Sequence, residues 1–351
     1  LGIGPTLIQA LPRRSSGQAW SLTLNAVIAT GIIASLLTGT VAAVILPILS
    51  PKLAVVSHQS GFTIALIAGV PLLTLAALLD AMFTAERAAG NMLARTAAFA
   101  CMRIPLLVAP IFLGYLGALA ICWAWILAAG CSVVAGALLI PRLRRSYRLE
   151  TRGILTQMRS MLRAVAGHQL ISLGAMLPIY LLPVFVVARL SLEQNAYFYT
   201  TWQVGSLFFM VSPSVAVALL AEGAHAPTGI FQKAKSSVLL IVVLLLAPML
   251  LAALGGPLIL GMFGVRYAHA GYPLLLILVA SAVPDAITNV YVAALRVRKY
   301  LAAAACLNLG MATMTMTLAW LLLPSLGIEG AGWAWLFAQS AGTLVVLFHV
   351  V

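Results

Sequence analysis

Charge is what this chain has least of. Only 8% of its 351 residues are Asp, Glu, Lys or Arg, 63% are hydrophobic, and the mean hydropathy is +1.10. Soluble domains carry about 25% charged residues, so this much apolar surface needs lipid as its solvent. Acidic residues are scarcest, seven against 20 Lys and Arg, which leaves a net charge of +13. That excess does not read as nucleic-acid binding, because the basic residues lie in short loops between apolar runs, the pattern of topology signals. The four cysteines (Cys101, Cys122, Cys131, Cys306) sit inside apolar runs without metal-ligand spacing and read as small packing residues. There is no Walker A loop, no HExxH and no catalytic-triad signature. The sequence therefore predicts no enzyme, no cofactor and no metal. It also shows no signal peptide. It opens Leu1-Gly2-Ile3-Gly4-Pro5, which reads as the tail of a helix begun upstream.

Long apolar runs are what the chain has most of. A hydrocarbon core of ~30 Å takes about 20 helical residues, and long runs favour helices over barrel strands. Ten runs qualify, near 20–48, 61–84, 92–113, 116–140, 168–190, 196–220, 237–262, 272–295, 300–323 and 329–350. Alternate loops hold 16 of the basic residues, and the opposite loops hold three: Lys52, Arg189 and Arg266. The 16-residue side is the expected cytoplasmic side.

The sequence repeats itself. Asp80-Ala81 leads through Cys101 and Gly117 to Trp123-Ala124-Trp125. Asp285-Ala286 leads through Cys306 and Gly327 to Trp333-Ala334-Trp335. Asp and Cys recur at an offset of 205 and Trp-Ala-Trp at 210, which a longer hairpin turn in the second copy would explain. Both copies take the same orientation, so the repeat is parallel, a plan common among carriers that alternate access. The expected fold is an all-α polytopic membrane protein of two pseudo-symmetric bundles on a 6+6 plan. An N-terminal bundle (1–140) is shortened by one or two helices and keeps a stub at 1–12. A basic linker (141–165) follows, mixing Arg with Leu, Ile and Met. It suits either an amphipathic helix on anionic headgroups or a solvated loop. A six-helix bundle (166–351) completes the chain.

Polar residues inside the runs are the candidate site. Arg103 lies about eleven residues into its run, ~16 Å from the start. There an arginine costs about 2.5–3.5 kcal/mol and needs a cavity or a partner. Its repeat mate by sequence is Asn308, so the two would face one central space. A guanidinium there would suit phosphate or pyrophosphate; a structural ion pair, for example with Asp80, is the alternative. Asp80 and Asp285 read as gate or helix-end partners of Arg87, Arg95, Arg296 or Arg298, with coupling-ion binding as the other possibility. His168, Gln169, Arg189, Tyr199 and Gln203 enrich two helices in polar and aromatic groups suited to sugar rings. Asn25 is a weaker candidate for the same lining.

Further residues carry a resemblance. Gly2-x-Gly4 runs into Leu11-Pro12-Arg13-Arg14. The turn Glu86-Arg87-Ala88-Ala89-Gly90-Asn91 precedes a hairpin at Leu113-Gly114-Tyr115-Leu116-Gly117-Ala118. A late hairpin reads Leu326-Gly327-Ile328-Glu329-Gly330-Ala331-Gly332-Trp333. With the repeat and topology, these resemble the multidrug/oligosaccharidyl-lipid/polysaccharide (MOP) exporters, in particular the polysaccharide-transporter, O-antigen flippase-like branch. The resemblance implies two six-helix bundles around a cavity and a bacterial cytoplasmic membrane. It implies flipping of a polyprenyl-pyrophosphate-linked oligosaccharide by alternating access, with membrane lipids and polysaccharide-assembly enzymes as partners. Runs 168–190 and 196–220 would be the family's cavity-lining seventh and eighth helices. Two rival readings are a drug/cation antiporter of the same superfamily, which needs a buried acid in a lobe, and a non-transporting scaffold for glycan-assembly enzymes.

Overall fold

A computed structural model describes residues 2–14, 16–49, 60–112, 114, 117–226 and 228–350, and every regular element among them is a helix. We number the α-helices α1 (Ile3–Ala10), α2 (Gly17–Leu49), α3 (Ser60–Ala85), α4 (Ala89–Phe112), α5 (Ala118–Leu143), α6 (Ile154–Arg189), α7 (Leu192–His225), α8 (Ile230–Gly261), α9 (Val265–Val297), α10 (Leu301–Leu326) and α11 (Glu329–Val350). Ten of them, α2 to α11, are long and apolar enough to cross a membrane. These are the ten runs expected from the sequence. Lys52, Leu113, Tyr115 and Leu116, named in the sequence reading, lie outside the described residues.

Several helices exceed the span they were assigned. The run at 168–190 is the upper part of the 36-residue α6. At 1.5 Å per residue α6 is ~54 Å long, well beyond a ~30 Å core. Hydropathy marks only the part of a helix that lies in hydrocarbon, so polar ends are missed.

The chain forms two compact units, Ile3–Val165 and Ala166–Val351, the latter joined by Gly2. In the N-terminal unit α2 packs on α3, α4 on α5, and α3 on α5, with α1 against α3. The loop between α5 and α6 is neither free nor wholly helical. Asn25 of α2 donates from Nδ2 to the carbonyls of Arg148 (3.2 Å) and Glu150 (3.0 Å), and its Oδ1 accepts from the Tyr147 hydroxyl (3.0 Å). Ser21 Oγ accepts the Arg148 N–H, and Trp20 Nε1 donates to Glu86. Helix α6 then starts at Ile154.

The C-terminal unit is built on α9, which packs against α7, α8 and α11, while α10 pairs with α11. Leu182, Phe198, Trp202, Leu278, Leu323 and Trp335 belong to one buried cluster in this unit. At Gly174 of α6 a Cβ would lie 2.7 Å from the backbone carbon of Asn308, so α6 and α10 touch backbone to backbone.

The repeat of elements stands, but its register differs from the sequence match. Each α3–α4 or α9–α10 turn contains a basic residue at positive φ, Arg87 (56°) in one and Lys299 (64°) in the other. Asp80 lies seven residues before its turn residue and Asp285 fourteen before its own. Asp285 is therefore about two turns, ~10 Å, further into its helix. The starts of α4 and α5 are 29 residues apart and those of α10 and α11 are 28 apart, so no longer hairpin turn exists. The Asp80/Asp285 and Arg103/Asn308 correspondences are thus matches of sequence only.

Candidate functional site

The C-terminal unit encloses a cavity of about 570 Å³ between α6, α7, α9, α10 and α11. Its described lining holds no Lys, Arg or His, and Asp285 is its only carboxylate. Asp285 is 5% exposed. Counted from Val297, the end of α9, it lies ~18 Å along the helix, inside the apolar run 272–295. The Ser212 hydroxyl of α7 donates to Asp285 Oδ2 at 2.5 Å. Asn289, one turn on, donates from Nδ2 to Ser212 Oγ (3.1 Å) and to the Asp285 carbonyl (3.0 Å). Thr288 Oγ1 donates to Gln339 Oε1 of α11 at 2.9 Å. Among the described residues no basic nitrogen forms an ion pair with Asp285.

Three sequence candidates join Asp285 on the lining: Tyr199, Gln203 and Asn308. Gln203 Nε2 donates to the Tyr199 hydroxyl at 3.2 Å, one helical turn apart. Asn308 is buried, and its Nδ2 donates to the Ile171 carbonyl (3.0 Å), which pins α10 to α6. Trp202 and Trp335 close one wall edge to face, their centroids 5.5 Å apart.

The other candidates lie elsewhere. Asp80 pairs with Arg95 through two bonds of 2.7 and 2.6 Å, and Arg95 Nη1 also donates to Ser132. Among the described residues Asp285 forms no such pair, so the helix-end contact with Arg296 or Arg298 expected for it is corrected: those residues lie eleven and thirteen positions further along. Arg103 sets its guanidinium over Trp125 (4.8 Å) and near Phe99 (5.8 Å) within the N-terminal unit. By element register it is not the repeat mate of Asn308, which lies seven residues after the start of α10 where Arg103 lies fourteen after the start of α4. Arg189 stacks on Trp320 at 4.5 Å. Gln169 Oε1 accepts the Gly2 N–H at 2.7 Å. His168 is fully buried in the C-terminal unit, outside the cavity lining. Asn25, expected on a cavity, spends both ends of its amide on the α5–α6 loop.

Sequence reading missed Ser212, Thr288, Asn289 and Gln339. They sit in three apolar runs, Ser212 in α7, the adjacent Thr288 and Asn289 in α9, and Gln339 in α11. Their common signal is a hydrogen-bonding group at mid-span, which in lipid demands a partner.

No family model matches this chain, and no curated protein matches it. Its fold is that of MATE transporters. A MATE protein in complex with MaL6 superposes with a TM-score of 0.80 at 16% identity, covering 98% of this chain and 82% of that one. An outward-facing multidrug resistance MATE family transporter of the MOP superfamily gives 0.73 at 16% identity, covering 98% and 81%. A MOP superfamily transporter from Pyrococcus furiosus gives 0.75 at 17% identity, over 98% and 81%. At these identities the likeness establishes the all-helical, pseudo-symmetric MATE-like fold.

Proposed function

We propose that this chain is a secondary transporter in which Asp285 exchanges a proton or small cation against a cationic or neutral amphiphile held in the C-terminal cavity. The observation that carries this reading is one buried carboxylate, without an ion-pair partner among the described residues, on a cavity otherwise lined by apolar and aromatic side chains with a few amide and hydroxyl groups. A lone charge at hydrocarbon depth is costly and has to be neutralised. A proton or a bound cation does so, and the two compete for the same oxygens. Cargo that replaces the neutralising ion is thereby coupled to its gradient, which is the linkage alternating access requires. The MATE-like fold supports the same reading.

The finer flippase reading keeps one supporting observation: Tyr199, Gln203, Trp202 and Trp335 offer ring faces and amides that suit sugars. It ranks second because a pyrophosphate finds no cationic partner on this lining and meets a carboxylate instead. Cells lacking the gene separate the two. The transporter reading expects loss of export of cationic dyes with lipid-linked glycans unchanged, and no rescue by Asp285→Asn. Accumulated polyprenyl-pyrophosphate oligosaccharide with normal dye export would instead select the flippase.

A further inference from the structure

The last turn of α5, the α5–α6 loop and the first turns of α6 carry six exposed arginines, Arg142, Arg145, Arg148, Arg152, Arg159 and Arg163, and one acid, Glu150, whose Oε1 accepts the Arg152 N–H. None of the six forms an ion pair among the described residues. Topology alone explains an excess of arginine here. It does not explain the leucines set among them. Leu149, Leu155 and Leu162 are 79%, 66% and 53% exposed.

Helical periodicity sorts these residues. Leu155, Arg159, Leu162 and Arg163 fall within about a third of the circumference of α6, on one face. The opposite face is packed: Met161 is buried, and Gln157 Nε2 donates to Thr23 of α2 at 3.3 Å. The face is therefore held in a fixed orientation by α2, and the preceding loop is fixed by Asn25 and Ser21. Helix α6 also overhangs a ~30 Å core by about sixteen residues, and the overhang is at this basic end.

From this geometry we infer that the exposed Arg/Leu face of the α5–α6 loop and early α6 binds anionic phospholipid headgroups of the adjoining leaflet. Arginine forks take the phosphates, and the leucines enter the acyl boundary between them. The occupant is bilayer phospholipid and not cargo, because the leucines match a continuous apolar boundary and the face lies outside the cavity. The inference stands apart from the transport reading.

The test uses the whole chain in detergent, stripped of lipid and titrated with phosphatidylglycerol or phosphatidylcholine of equal acyl length, with bound lipid counted by native mass spectrometry. Each basic residue at an anionic surface is worth roughly five-fold in affinity. The triple variant R152Q/R159Q/R163Q is expected to lose at least ten-fold in phosphatidylglycerol affinity with phosphatidylcholine unchanged. The matched R152K/R159K/R163K variant should keep its preference for the anionic lipid, which controls for folding. A control on other basic residues that the sequence assigns to the cytoplasmic side, R13Q/R14Q/K235Q, should lose clearly less than the glutamine variant of the face. Unchanged phosphatidylglycerol binding in the glutamine variant overturns the inference, as does an equal loss in the control.

Discussion

At the scale of single residues, the two aspartates show how the same side chain takes different work from its neighbours. Asp80 is held by Nε and Nη2 of Arg95, whereas Asp285 is held by a hydroxyl and has no ion-pair partner among the described residues. Arg95→Gln should therefore destabilise the protein by about 2 kcal/mol, less than the roughly 3–5 kcal/mol of a fully buried pair because Asp80 is about a third exposed. Adding Asp80→Asn should recover most of that loss, read as unfolding midpoints in detergent. Asp285→Asn should leave the midpoint unchanged or raise it, because the amide oxygen still accepts from Ser212 while the buried charge is gone. A sequence lists both aspartates as acids near apolar runs. It does not show which one an arginine from the next helix will reach, because Arg95 and Ser132 approach from α4 and α5.

At the scale of elements, the ten helices were legible because lipid imposes one requirement, length in apolar residues. Their ends were not, because water-exposed turns of α6, α7, α8 and α9 carry no hydropathy signal. The repeat was legible in its Trp-Ala-Trp and turn motifs. Its register was not, since Asp and Cys recur by sequence while the turn residues Arg87 and Lys299 define the geometry. Two elements give sharp predictions. Gly174→Val should push α6 off α10, lowering the thermal midpoint by several degrees and changing the volume beside Asn308. Asn25→Ala frees the α5–α6 loop, so trypsin should cut after Arg145 or Arg148 faster than in wild type. Burial there also raises the Tyr147 hydroxyl above its ordinary value of 10.0. The unfolded chain then loses that proton first, so the contact's contribution is intact below pH ~10 and falls as pH rises past it. Unfolding midpoints at pH 8 and pH 11 should differ more in wild type than in Tyr147→Phe.

At the scale of the whole molecule, the two repeats share a plan and differ in chemistry. The N-terminal unit closes its one aspartate into an ion pair, and the C-terminal unit leaves its one aspartate on a cavity. Much of that site was legible residue by residue, with Asp285, Asn308, Tyr199 and Gln203 all singled out. The partners Ser212, Asn289 and Gln339 were not, because isolated polar groups in apolar runs acquire meaning only when packing brings α7, α9 and α11 together. This asymmetry predicts that, in proteoliposomes, Asp80→Asn keeps the ratio of ions to cargo moved even where the protein is less stable, while Asp285→Asn loses it. The most direct measurement is proton release from purified protein in weakly buffered detergent solution on adding a cationic ligand. Close to one proton should be released per bound ligand in wild type and none in Asp285→Asn. Ligand binding without proton release in wild type, or release that persists in Asp285→Asn, would contradict proton exchange at Asp285, and a sodium titration giving no displacement of the ligand would remove the cation alternative as well.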